Sequence, residues 1–174
     1  IEILKDTINE IIGIRADSGL IQKLREKIGE HEGVLGVFDI ILHNYGPNKI
    51  MASAHIQIDD DMNARQIHRL TRRIIIDIFN EFGIVLTIGI YASNEFGEYK
   101  EIKEYIDKIV RDYKNIIQLH GFYVDEEYKR ISFDLIFNFD EEDPEKCTKD
   151  IKHKLDEKYP EYDFSIILDT DISD

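Results

Sequence analysis

The sequence predicts an α+β fold built as two successive αββαβ units, and three observations carry that expectation. Apolar residues recur first at helical and then at strand spacing, in the same order, from about residue 19 to 92 and again from about 100 to 172. Turn and cap signals separate the elements: Gly33, the segment NYGPN, Gly83, the segment DEEYKR, Asp143 before Pro144, and Pro160. No apolar run approaches the roughly 18 residues that a membrane span requires.

In the first copy, Leu20, Leu24 and Ile28 recur at helical spacing, a turn follows at Gly33, and VLGVFDIIL reads as a strand. Strict alternation puts Phe38, Ile40 and Leu42 on its apolar face. NYGPN joins it to a partner strand whose Ile50, Ala52, Ala54, Ile56 and Ile58 share one face, which makes a hairpin. Asn63 and Gln66 have the spacing of a capping box. The helix they open carries Ile67, Leu70, Ile74, Ile78, Phe79 and Phe82 as its apolar stripe and ends at Gly83. IVLTIGIYA supplies the third strand, with Leu86, Ile88 and Ile90 on one side.

The second copy repeats this order. Ile102, Tyr105, Ile106, Ile109 and Tyr113 mark a helix, IIQLHGFYV and ISFDLIFNF form a hairpin around DEEYKR, and Cys147, Ile151, Leu155 and Tyr159 mark a second helix. Asp143 is its expected N-cap, with Pro144 at the first helical position, and FSIILD is the last strand. Each half is thus a split sheet backed by two helices, a ferredoxin-like layout. Residues 1–18, with Ile1, Leu4 and Ile8, suggest an additional amphipathic linker helix. The units are expected over residues 19–95 and 96–174, joined near SNEFGEYK.

A formal net charge of −14 argues against a nucleic-acid partner, which needs clustered Lys and Arg, and favours cations. The N-terminus lacks a basic segment ahead of an apolar one, so it does not read as a signal peptide, and a start at Ile1 suggests a fragment. Cys147, the single cysteine, excludes an intramolecular disulfide; its helical spacing predicts core packing. G-x-S-x-G, P-loop, H-E-x-x-H and G-x-G-x-x-G patterns are missing, so an enzyme is not expected. The acidic runs at 59–61 and 140–143 fall between strand and helix, where acids favour the positive helix N-terminus, and neither has an EF-hand pattern.

Alternation also selects the side chains that leave the core. With Ala52, Ala54 and Ile56 inward, Met51, Ser53, His55 and Gln57 point to the open face. Asp39 and His43 of the preceding strand are expected on that same face, and an imidazole beside a carboxylate there is a possible metal site.

The segments IIGIRAD, GVFDIILHNYGPNKIMASAHIQID, MNARQIHRL and GIVLTIGIYA resemble the C-terminal domain of the cation diffusion facilitator family along almost the whole first unit. The resemblance implies a metallochaperone-like, dimer-forming cytoplasmic domain whose ligands are an xHDL histidine, a histidine on the next strand, one in the helix opening and an H-x-D on the last strand. His55 and His68 match two of these positions, while Phe38, Gly89 and Tyr91 replace the other three. Two histidines do not complete a tetrahedral zinc site. Laying the second unit on the first places His120 at the first-histidine position, Ile136 at the second and Asp169 at the last-strand aspartate. His120 with Asp134, Asp169 and Asp171 then forms an N/O set suited to Zn2+, Mn2+ or Fe2+, with no metal needed for folding.

The resemblance therefore implies the cytoplasmic regulatory and dimerisation region of a divalent-cation efflux transporter, a metal/proton antiporter. It would lie at the cytoplasmic face of the membrane with its own transmembrane domain, a second copy and divalent cations as partners, and no nucleic acid. Two other readings fit the same pattern: a small-molecule-binding regulatory module of tandem ferredoxin-like domains, and a structural dimeriser without metal.

Overall fold

A computed structural model of the chain describes residues 18–45 and 49–169. They fall into two compact units, one ending at Tyr91 and the other starting at Ala92. The expected linker helix and Asp171 lie outside the described residues.

In the first unit, α1 (Ser18–Gly29) buries Ile21, Leu24 and Ile28. Gly33 then takes a φ of 99°, a conformation open to glycine, and turns the chain into β1 (Gly36–Asn44). β1 pairs antiparallel with β2 (Ile50–Asp59), matching Val37 with Ile56 and Phe38 with His55, but the ladder resumes at Ile41 with Ser53. Three steps on β1 thus oppose two on β2, which is a β-bulge, and Asp39 within it has a φ of 51°. The extra residue reverses the alternation. Ile40 is buried and Leu42 faces Ala52 as expected, but Phe38 lies across from His55 on the open face, not on the apolar face the pattern assigned to it.

Helix α2 (Ala64–Phe82) opens with a complete capping box: the Asn63 side chain accepts from the Arg65 and Gln66 backbone N–H groups, and Gln66 returns a bond to the Asn63 N–H. It closes on Gly83 at a φ of 69°, whose N–H donates to the Phe79 carbonyl. Leu70, Ile74 and Ile78 are buried, while Phe79 is exposed, so the buried stripe is narrower than the sequence suggested. β3 (Val85–Ser93) completes a sheet of order β1-β2-β3. Leu86 is buried, and Ile90 is exposed in place of the expected core position.

The second unit repeats the plan with α3 (Lys100–Arg111), β4 (Ile116–Asp125), β5 (Arg130–Phe137), α4 (Pro144–Lys158) and β6 (Asp163–Asp169). The strands form a sheet of order β4-β5-β6, with β4 and β5 antiparallel and β6 parallel to β5. Asp143 caps α4 by accepting from the Lys146 N–H, with Pro144 in the first turn. Ile106, Phe122, Phe133, Leu135, Ile151, Leu155 and Phe164 form this unit's core. Each side chain so removed from water contributes about 1.5–3 kcal/mol. Cys147 is half-buried and is not among the residues of this core, although its helical spacing predicted core packing.

The bulge recurs. His120 lies opposite Asp134, yet the next pair is Tyr123 with Ser132, and Gly121 has a φ of 66°. Phe38 and His120 therefore hold equivalent places, each one residue before a left-handed residue. The residues opposite them, His55 and Asp134, are equivalent as well. The second-strand position of the second unit is thus Asp134, not Ile136 as residue counting suggested.

Candidate metal centre

In the first unit the open face of the sheet holds a cluster of rings. Asp39 Oδ2 accepts a 2.9 Å hydrogen bond from the Tyr91 hydroxyl and lies 2.9 Å from Nδ1 of His55. The left-handed bulge residue thereby ties β1 to both other strands. The His55 ring stacks on Tyr91 with centroids 4.6 Å apart at 29°, and Phe38 meets Tyr91 edge-on at 6.3 Å. Gly89 makes the stack possible. A Cβ there would stand 2.1 Å from His55 Cδ2 and 2.4 Å from Nε2, so the imidazole fills space that only glycine leaves.

His68 is exposed on α2, and His43 is exposed at the end of β1 opposite Met51, away from His55. Among the described residues neither His55 nor His68 belongs to a group of three or more metal-ligating atoms in mutual reach. Asp39 does approach His55 as the alternation suggested, and His43 does not.

The second unit brings together a different set. His120 Nε2 is 3.6 Å from Asp134 Oδ2 and 3.8 Å from Asp169 Oδ2. The bulge at Gly121 aims His120, the antiparallel ladder sets Asp134 across from it, and the parallel pairing of Ile136 with Asp169 brings the third residue to the same face. Side-chain exposure rises from 0% at His120 to 11% at Asp134 and 34% at Asp169. The imidazole is thus the inner donor and Asp169 the donor nearest water. Ligands of a tetrahedral zinc ion, at about 2.0–2.2 Å from it, stand roughly 3.3–3.6 Å from one another. The two separations from His120 are close to that range, but Asp134 does not join His120 and Asp169 in a group of three donors in mutual reach; an imidazole nitrogen with carboxylate oxygens is a donor type that suits zinc, manganese or ferrous iron.

The acidic runs have structural duties. Asp59, Asp60 and Asp61 are exposed, and Asp59 Oδ1 accepts from the Asp61 N–H in the turn before α2. Glu141 accepts from Asn115 Nδ2 at 2.9 Å and from the Asp143 N–H at 3.1 Å. The Asn115 bond, with the Asp143 N–H behind it, holds the Glu141 carboxyl below its ordinary value. Burial, and then the Glu141 charge, pushes the Cys147 thiol up, away from thiolate chemistry.

Sequence reasoning placed Asp39 near His55 but missed Tyr91 as the third member of that cluster, and it missed that Asp134 holds the second-strand position, a consequence of the bulge. Glycine inside the strand segment LHGFYV was the available signal in the second unit; the first unit uses an aspartate at that point and gives none.

Residues 16–90 match the family described as cation efflux protein, cytoplasmic domain. Among solved structures the chain is similar to the nickel form of a MamM CTD variant, with 20% identity over 44% of this chain and 99% of that one at a TM-score of 0.40. A cadmium form of another MamM CTD variant has 20% identity over 43% of this chain and 96% of that one, also at 0.40. A further MamM CTD structure has 20% identity over 43% and 98%, at 0.39. No curated protein matches the chain.

Proposed function

We propose that the chain, whose residues 16–90 match the cation efflux protein cytoplasmic-domain family, is the regulatory, dimer-forming part of a divalent-cation transporter, with its cation site in the second unit. It works without catalysis at the cytoplasmic face of the membrane, where its transmembrane partner exports cations in exchange for protons. The observation that carries the siting is the approach of His120 Nε2 to Asp134 and Asp169 at 3.6 and 3.8 Å. Zn2+, Mn2+ and Fe2+ are the cations this donor set fits.

The mechanism is a population shift. An ion that binds better to a closed pair of protomers than to a splayed pair favours closure in proportion to that difference in affinity. Two apposed chains of net charge −14 repel when empty, and bound cations relieve that repulsion most strongly at low salt. For the first unit alone, a metal-free dimer platform is favoured by His55, whose ring is engaged by Asp39 and Tyr91.

Small-angle scattering of the purified, chelator-stripped chain, before and after Zn2+, tests the reading. A dimer in both states with a smaller radius of gyration in zinc is expected. A monomer, or a dimer whose dimensions ignore saturating Zn2+, Mn2+ and Fe2+, overturns it.

A further inference from the structure

The strongest unused feature is the outer face of α2. Four of the chain's eight arginines, Arg65, Arg69, Arg72 and Arg73, fall within nine residues of this helix, and no acid occurs from Ala64 to Ile76. In a chain of net charge −14 that is a local reversal of sign. The first acid beyond it, Asp77, lies 3.0 Å from His31 Nε2.

Arg65, Arg69, Arg72, Ile76 and Phe79 follow the i, i+4, i+7, i+11, i+14 spacing of one helix face, and all five are exposed, Ile76 by 45% and Phe79 by 55%. The stripe spans roughly 21 Å at 1.5 Å per residue. Among the described residues none of the four guanidinium groups pairs with a carboxylate. Arginine is weakly hydrated and binds phosphate oxygens in a two-pronged fashion. A row of arginines running into an isoleucine and a phenylalanine therefore offers headgroup contacts at one end and apolar insertion at the other.

We infer that this face docks on an anionic phospholipid surface. The chain's overall acidity does not prevent it. At physiological salt the screening length is about 8 Å, so acids far from the stripe are largely screened; the exposed Asp59, Asp60 and Asp61 just ahead of α2 oppose contact at its first turn, which leaves Arg69 and Arg72 as the main headgroup contacts. The inference shares with the proposed function only the placement beside a membrane. It needs no metal, so vesicle binding and metal binding can fail separately.

The test is co-sedimentation of the full chain with vesicles of phosphatidylcholine alone or mixed with phosphatidylglycerol, at low and high salt, with oligomer mass followed in parallel. Binding is expected only to the mixed vesicles, weakening with salt. Arg69→Ala with Arg72→Ala should weaken it by roughly 25-fold, at about fivefold per arginine, and Phe79→Ser should weaken it independently. All three positions are exposed, so an unchanged circular dichroism spectrum is expected of each variant. Absent binding, equal binding to neutral vesicles, or variants that bind like the parent would overturn the inference. So would arginine variants that dissociate a dimer while leaving vesicle binding intact, since the face would then be a contact between copies.

Discussion

The two units share one scaffold and differ in what it presents. Each has a bulge one residue after the same β-strand position, Phe38 in one and His120 in the other, and each sets one residue directly across from it, His55 or Asp134. In the first unit that pair is phenylalanine and histidine, and the face closes as a stack in which Tyr91 covers His55, Asp39 bonds both, and Gly89 leaves the room. In the second it is histidine and aspartate, and Asp169 joins them. Backbone geometry thus fixes where side chains converge, and a few identities decide whether they close as a ring stack or gather an imidazole with carboxylates.

The largest effect that probes this comparison is on the separate cores. Ile74→Ala in the first unit and Ile151→Ala in the second each remove a fully buried side chain and should cost about 2–5 kcal/mol. If each core belongs to its own unit, hydrogen exchange read peptide by peptide will accelerate mainly in the unit that carries the substitution. Equal acceleration in both would break the comparison.

A smaller effect sharpens the account of the ring stack. Gly89→Ala puts a methyl group where His55 lies and should destabilise by about 1–3 kcal/mol. In a His55→Ala background the same change should cost much less, so a double-mutant cycle in urea should yield a clear coupling energy. Additive losses would show that His55 does not depend on the glycine.

The smallest effect concerns acid, and it separates the second unit from the first. Asn115 holds the Glu141 carboxyl below its ordinary value of 4.5 in the folded state. A depressed folded value stabilises at pH above the unfolded value, and that contribution is lost as pH falls through the folded one. Stability curves of the parent and Asn115→Ala should therefore differ above about pH 4.5 and converge below it. A difference that is constant with pH would contradict this role of Glu141.

The order and type of the elements were legible because periodicity and caps agree: Asn63 with Gln66, Gly83, and Asp143 with Pro144 all act where the pattern put them. What alternation does not carry is a change of phase inside a strand. The bulge at Asp39 reversed the face of Phe38, and counting residues across Gly121 displaced the second-strand position from Asp134 to Ile136. Helical spacing likewise gave the axis of α2 but not the width of its buried stripe, which leaves Phe79 outside. Of the candidate ligands, His120 lies within 4 Å of both Asp134 and Asp169, His55 lies against Asp39, His68 is exposed on α2, and Asp171 is outside the described residues.

Calorimetric titration of Zn2+ into the chelator-stripped chain, repeated with His55→Ala, His120→Ala and Asp169→Asn, tests the central claim most directly. The account predicts saturable binding that survives His55→Ala and weakens in both second-unit variants by at least the roughly 10–100-fold that loss of an outer-shell partner costs. Asp169 is partly exposed, so its variant keeps the fold even where removal of the buried His120 disturbs it. Binding lost in His55→Ala and retained in the other two would place the ion in the first unit and contradict the account.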